Sequence, residues 1–137
     1  MGYTNYFHVK KGLNEFDDRF LWDVERAVNR FNEKNPNDTV WFVNYRPTCI
    51  AIEGPGVTHE NLVISLEPEE CEPKDRDYIF GCCKTQMDTY DIIVKAVIMI
   101  AAKHGIVESY SADGYEGESE LAKAAQEIVD EIIPPSP

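Results

Sequence analysis

Apolar positions in the second half of the chain concentrate in one segment, around which the remaining elements are arranged. Residues 92–102 carry one polar side chain, Lys95, among ten apolar ones. A helix that is apolar on nearly every side is usually buried. Asp88 or Thr89 is suited to cap its start, and residues 103–105, Lys-His-Gly, are suited to end it. The pattern predicts a buried central helix, and we expect a functional site at its polar ends.

Two amphipathic helices are predicted on either side of this segment. Apolar residues recur at three- and four-residue steps over residues 14–34 and again over residues 119–133. Asn14 is suited to cap the first helix and Ser119 the second. The prolines after the second helix stop it and predict a loose tail at residues 134–137.

Strand-forming residues fill most of the remaining chain. Segments rich in β-branched and aromatic residues predict strands at 3–10, 39–45, 49–53, 61–66, 78–83 and 106–110. Alternation in the first strand places Tyr6 and His8 on one face and Asn5, Phe7 and Val9 on the other. Because the strands cluster in the middle of the chain, we expect one α+β domain over residues 1–137. Its mostly antiparallel sheet would have about five to six strands, with the buried central helix on it and the two amphipathic helices flanking.

Composition narrows the classes of partner. The formal net charge of the 137 residues is -12, which repels phosphate backbones, so we expect no direct nucleic-acid binding. The four cysteines fit no common zinc spacing, and no metal or cofactor is expected. No apolar run reaches the roughly 18–20 residues that span a bilayer, and no signal peptide precedes Tyr3. We therefore expect a cytoplasmic protein with reduced thiols and no membrane partner.

Strong catalytic motifs are absent from the sequence. It contains no G-x-x-x-x-G-K phosphate loop, no G-x-S-x-G elbow and no H-E-x-x-H pair. Lys84 and Thr85 precede the central helix, and a helix N-terminus attracts anions. Asp88 and Asp91 bring negative charge to the same end, so the residues alone favour capping and charge neutralisation there.

Several side chains could serve either a ligand or the fold. His8 and His59 are candidates for acid/base or hydrogen-bonding work, although a lone histidine is more often packed or solvated. The tyrosines, among them Tyr3, Tyr6 and Tyr90, can stack on a planar ligand or simply pack. Cys83 precedes a lysine that would lower its pKa, but burial beside the central helix favours an inert thiol.

The opening residues MGYTNY resemble the start of a family of small phage and bacterial proteins that begin M-G-Y-T-x-Y. That family also has a glycine turn followed by His-Glu, a C-K-T-x-x-x-P-Y-D block before a hydrophobic helix, and a later S-x-D-G-like turn. The matching positions here are Gly56, His59, Glu60, Cys83, Lys84, Thr85, Tyr90, Asp91, Ser111, Asp113 and Gly114. The resemblance implies a phage or prophage accessory protein in the host cytoplasm, and it implies no particular activity.

The leading hypothesis is a small protein that binds a nucleotide-like ligand, with the sequestering of a host defence signal as its biological purpose. Polar residues in loops and at element ends more often serve binding than packing. The expected ligand contacts are Tyr3, Tyr6, His8, His59, Lys84, Thr85, Tyr90, Asp91, Ser111 and Asp113. The lysine, the threonine and His59 would hold the anionic part, the tyrosines would stack on the planar part, and a homo-oligomer is compatible with such a site.

Two alternatives stay open at this point. The first is a hydrolase or phosphodiesterase acting on such a ligand, with His8 or His59 as acid/base and Asp91 or Asp113 orienting it. The second is an acidic inhibitor that binds a protein, such as a DNA mimic, through the charged run at residues 67–77.

Overall fold

A computed structural model describes residues 2–54 and 60–135. Within these ranges it contains three helices and six strands, which confirms the α+β class. In chain order they are β1 (Tyr3–Lys10), α1 (Asp18–Lys34), β2 (Trp41–Arg46), β3 (Cys49–Glu53), β4 (Leu62–Ser65), β5 (Tyr78–Thr85), α2 (Thr89–Lys103), β6 (Val107–Ala112) and α3 (Glu118–Ile132).

The six strands in the described residues pair antiparallel, in agreement with the expected number and pairing, but they form two sheets of three strands each, so the expectation of a single sheet is wrong. The β1 sheet has the order β5-β1-β6, and the β3 sheet has the order β2-β3-β4. Consecutive strands make up the β3 sheet, whereas β1 takes both partners from the second half of the chain. Residue composition indicates where each strand lies but not which strand it pairs with, and this is why the division was missed.

The central strand of the β1 sheet confirms the predicted alternation. Phe7 and Val9 are buried on the face that meets the core, and Tyr6 and His8 lie on the other face. In register, Phe7 stands opposite Gly81 of β5. Its ring covers that glycine so closely that an added Cβ would lie 2.1 Å from Phe7 Cε2. Only glycine therefore fits at this point of β5 without displacing the ring.

Helix α2 is the buried central helix that the sequence predicts. Every residue from 93 to 101 is buried, and the helix contacts α1, α3, β5 and β6. Gly105 follows its last turn in a left-handed conformation, with φ of 74°, as its predicted role at the helix end requires. The apolar residues of both sheets and all three helices form one continuous core around it.

The two amphipathic helices are present, but their starting residues differ from the prediction. Helix α1 begins at Asp18, and the Asp17 side chain, not Asn14, caps it by accepting a hydrogen bond from Phe20 N at 2.8 Å. The preceding residues are held elsewhere, since Phe16 N donates to Pro47 O at 2.9 Å. Helix α3 begins at Glu118 after Gly117, one residue before the predicted cap Ser119. None of the helices in the described part of the chain is long and apolar enough to cross a membrane.

Candidate functional site

A lysine of the central helix lies at the centre of a polar cluster inside the protein. Lys95 Nζ lies 2.8 Å from the Tyr3 hydroxyl, 2.7 Å from Asn5 Oδ1 and 3.2 Å from Asp91 Oδ2. Three oxygen atoms thus surround an ammonium group that has three N–H bonds to donate. The Lys95 side chain is only 7% exposed. A buried charge of this kind is tolerated because it is paired and hydrogen-bonded.

Asp91, one helical turn before Lys95, completes the cluster and is itself 0% exposed. Its Oδ1 accepts hydrogen bonds from Asn5 Nδ2 at 2.7 Å and from Thr85 Oγ1 at 2.7 Å. The central helix thereby connects to both β1 and β5. We refer to Tyr3, Asn5, Thr85, Asp91 and Lys95 as the buried network.

A cleft of about 210 Å³ lies beside the buried network, between β6, α2 and α3. It has both polar and apolar lining residues, among them Asn5, Lys95, Glu118, Ile98, Met99 and Tyr110. The Tyr110 side chain is 50% exposed, so an aromatic ring stands at the border of the cleft. We call this feature the cleft, and it is the candidate functional site.

Glu118 brings a second carboxylate to the cleft from the first turn of α3. Its Oε2 is shielded from solvent, and the Glu118 carboxylate is a side-chain hydrogen-bond partner of the Tyr3 hydroxyl. Burial raises the pKa of Tyr3 well above its usual range, and the neighbouring charges of Asp91 and Glu118 raise it further. Tyr3 therefore stays a neutral phenol. The charged side chains in and beside the cleft are the carboxylates of Asp91 and Glu118 and the ammonium of Lys95.

The structure joins three of the predicted contact residues, because Tyr3, Thr85 and Asp91 all belong to the buried network. Tyr6 and Asp113 form a separate pair on the other side of β1. The Tyr6 hydroxyl donates to Asp113 Oδ1 at 2.8 Å, and this bond is the main reason that the pKa of Tyr6 is raised. Asp113 Oδ2 accepts a hydrogen bond from Thr4 N at 2.8 Å, which fixes the start of the strand.

The remaining predicted residues of the β1 sheet do not reach the buried network. His8 stacks on Tyr78, with ring centroids 3.7 Å apart, on the face that carries Tyr6. Lys84 is exposed, and its backbone N–H donates to Glu60 Oε2 at 2.9 Å. Ser111 stands opposite Tyr6 in the β1–β6 register and borders the cleft.

Tyr90 is directed toward the other sheet. Its hydroxyl accepts a hydrogen bond from Leu62 N at 3.2 Å and lies 2.9 Å from Ile52 O and 3.1 Å from Glu60 O, either of which can receive its proton. Burial raises the pKa of Tyr90 well above its usual range. The tyrosine thus joins α2 to β3 and β4. It is not among the residues that line the cleft.

His59 and the glycine turn before it lie outside the described residues, which stop at Gly54 and resume at Glu60. The predicted contact set is therefore distributed over the buried network, the outer face of the β1 sheet and the junction with the β3 sheet. Its functional roles stay predictions.

Sequence reasoning missed three residues of this site: Asn5, Lys95 and Glu118. Lys95 is the one polar residue of the apolar segment at residues 92–102. An acid and a lysine four residues apart on one helix are neighbours, so the Asp91–Lys95 spacing is a signal that could have identified the pair. Asn5 shares the inward face of β1 with Phe7 and Val9, which was a weaker signal. Nothing in the sequence indicates that Glu118 reaches the cleft.

The described residues give little support for a reactive cysteine or for a metal site. Burial raises the pKa of the Cys83 thiol to about 12, in line with the inert role favoured for it. Cys83 Sγ also lies 3.5 Å from Glu60 O as a weak donor. Over residues 2–54 and 60–135 no group of three or more His, Cys, Asp or Glu side chains is arranged to hold a metal ion.

Comparison of the chain with models of protein families, with curated proteins and with solved structures finds no match. The resemblance to the M-G-Y-T-x-Y proteins therefore stays a prediction, and the function has to be inferred from the geometry of the cleft.

Proposed function

We propose that this protein binds a small nucleotide-like molecule and that the cleft holds the planar part of that ligand. The observation that supports the proposal is the cleft itself, in which apolar walls meet a fixed set of polar groups. Ligand sites typically combine predominantly apolar linings with a few well-placed polar groups that set orientation. Asn5, Lys95 and Glu118 are those polar groups here.

The size of the cleft limits what enters it. A volume of about 210 Å³ is smaller than the roughly 300–1,000 Å³ of sites that enclose a drug-sized ligand. A single base fits this volume better than a whole dinucleotide does, so the sugar and phosphate would extend into solvent. Tyr110 at the border offers a half-exposed ring on which a planar group can stack.

The chemistry of the lining favours binding over turnover. The ammonium of Lys95 is already surrounded by three oxygens. Its role is therefore to hold the neighbouring side chains in place and to orient the ligand. Among the described residues that line the cleft there is no histidine or cysteine to act as base or nucleophile. A protein that holds its ligand unchanged suits the sequestering role in a phage setting, which is part of this proposal.

The proposal can be tested by titrating the protein with adenine, adenosine, AMP and a cyclic dinucleotide, followed by calorimetry and by amide chemical shifts. We expect binding of at least one compound, with the largest shifts at Met99, Ala112 and Ala122. The substitution Ala122→Phe, which places a ring in the cleft, should abolish binding. Lys123→Phe is the matched control, because Lys123 is exposed on the same helix and does not line the cleft.

The same samples separate binding from catalysis. After denaturation of the protein, chromatography should return the ligand intact, and a consumed ligand would favour the hydrolase alternative. Absence of binding for all four compounds, or binding that Ala122→Phe leaves unchanged, would contradict the proposed function.

A further inference from the structure

The β3 sheet carries apolar side chains on both of its faces. One face meets the core through buried residues such as Ile50 and Ile52. On the other face the register aligns Val43 of β2, Ala51 of β3 and Val63 of β4 in a row across the sheet. An antiparallel sheet that packs on a core with one face commonly carries polar residues on the other. Packing of the sheet on the core therefore does not explain the apolar row.

Two exposed aromatic side chains flank this row along β2. Trp41 is 54% exposed and Tyr45 is 57% exposed. Tyr45 lies on the same face as Trp41, since its hydroxyl donates to Glu53, the residue opposite Trp41 in the register. We call Trp41, Val43, Tyr45, Ala51 and Val63 the outer patch. Contiguous exposed apolar patches mark interaction sites, and tryptophan and tyrosine often supply most of the binding energy there.

An arginine and a glutamate stand at opposite ends of the outer patch. Arg46 pairs with Cys49 in the β2–β3 register, and Glu53 pairs with Trp41. Cys49, Ala51 and Glu53 alternate along β3, so Arg46 and Glu53 belong to the face of the outer patch. Four residues separate Cys49 from Glu53, which places the two charges about 13 Å apart along the strands, with Ala51 midway.

This arrangement is complementary to itself. A two-fold axis at the level of Ala51, between two stacked sheets and across their strands, reverses the strand direction of the second copy. Arg46 of each copy then faces Glu53 of the other, and the apolar rows pack together. The two charges cancel within the face, which matters because copies with a formal net charge of -12 repel each other elsewhere.

We propose that the outer patch is the interface of a homodimer, in which Arg46 of each copy pairs with Glu53 of the other. Such an interface uses the same surface on both copies, as is usual in homodimers, and stacks two sheets as in a β-sandwich. A different protein would not require opposite charges at equal distances from Ala51, so their placement favours a second copy of this chain.

The size of the outer patch sets the expected affinity. Three strands of four to six residues cover about 15 by 17 Å. A stable complex usually buries roughly 800 Å² of accessible surface on each partner, which is more than this area supplies without its surroundings. We therefore expect a reversible dimer with a dissociation constant in the micromolar range.

Sedimentation equilibrium between about 1 and 500 µM tests for this dimer. We expect Trp41→Ser to weaken dimerisation at least about tenfold, since it removes an exposed aromatic ring from the interface. Trp22→Ser is the matched control, because Trp22 is 56% exposed but lies on α1, and it should leave dimerisation unchanged. Thermal melting shows that each variant is folded before its association is compared.

Charge reversal tests the geometry of the pairing. Arg46→Glu places carboxylates against carboxylates across the interface, and Glu53→Arg places guanidinium groups against each other, so neither variant should self-associate. A mixture of the two variants should form a heterodimer, because both contacts then join opposite charges.

These measurements are made without ligand, so their outcome is independent of the proposed function. A protein that stays monomeric up to the highest concentration would overturn the proposal. A dimer that Trp41→Ser leaves unchanged, or two charge variants that fail to associate when mixed, would also overturn it.

Discussion

Lys95 illustrates how one side chain can contradict the pattern of its surroundings and still fit the fold. It stands within an apolar helix, yet it is buried with its charge. Removing one partner of a buried ion pair leaves an uncompensated charge, whereas removing both is far better tolerated. Asp91 also accepts two hydrogen bonds from uncharged groups, so its position does not depend on Lys95 alone.

The substitution Lys95→Met should destabilise the protein by about 3–5 kcal/mol, because Asp91 is then buried without its cation. Combining it with Asp91→Asn should recover part of that loss, since the neutral amide needs no counter-charge. Urea denaturation of the single and double variants measures the difference. A double variant that is no more stable than Lys95→Met alone would show that the charge of Asp91 is not the source of the loss.

Between elements, polar contacts at the surface and in the interior connect the helices to one another and to the β3 sheet. His104 after α2 places Nε2 at 2.7 Å from Asp23 Oδ2 of α1. Arg30 of α1 pairs with Glu131 of α3 at 2.5 Å. Tyr90 makes the corresponding contact between α2 and the β3 sheet, and its hydroxyl is the most buried of these links.

The substitution Tyr90→Phe tests the link between α2 and the β3 sheet. Without the hydroxyl, the Leu62 N–H and the Ile52 carbonyl lose a buried partner, which should cost about 1–3 kcal/mol. We expect faster amide hydrogen exchange in β3 and β4 and a lower denaturation midpoint.

Tyr45→Phe is the control for this prediction. The Tyr45 hydroxyl also donates a hydrogen bond, to Glu53, but its side chain is exposed, so the substitution should have little effect. Equal effects of the two substitutions would contradict the structural role assigned to Tyr90.

The elements themselves were largely predictable, and their partners were not. The apolar segment of α2, the alternation in β1 and the end of α2 at Gly105 follow from local periodicity and glycine chemistry. The starts of α1 and α3 were misplaced, because competing bonds such as that from Phe16 N to Pro47 O involve residues far apart in the sequence. The division into two sheets and the position of Glu118 in the cleft also depend on residues far apart in the sequence, so local patterns do not predict them.

At the scale of the whole molecule, stability should depend on pH in the alkaline range. Burial raises the pKa values of Tyr3, Cys83 and Tyr90, with that of Cys83 moving from 9.0 to about 12. The folded protein therefore keeps protons that the unfolded chain releases, so the stability is fully present below about pH 9 and falls as the pH rises toward 12. Each such group contributes a slope of about 1.4 kcal/mol per pH unit where it is ionised only in the unfolded chain.

Urea denaturation between pH 7 and 11 tests this dependence. We expect the free energy of unfolding of Cys83→Ala to fall less steeply above pH 9 than that of the unchanged protein. Cys71→Ala, at an exposed cysteine, should keep the original slope. A slope that Cys83→Ala leaves unaltered would show that this thiol ionises equally easily in the folded protein.

By itself, the sequence determined that this is an acidic α+β protein with an apolar central helix and a first strand that has one buried face. Such properties depend on residue type and on spacings of two to four residues, which are readable along the chain. Only the tertiary structure decided how the strands pair, what surrounds Lys95 and which side chains meet at the cleft. These contacts join residues as far apart as Tyr3 and Lys95, which are 92 positions distant, and no local pattern specifies such a meeting.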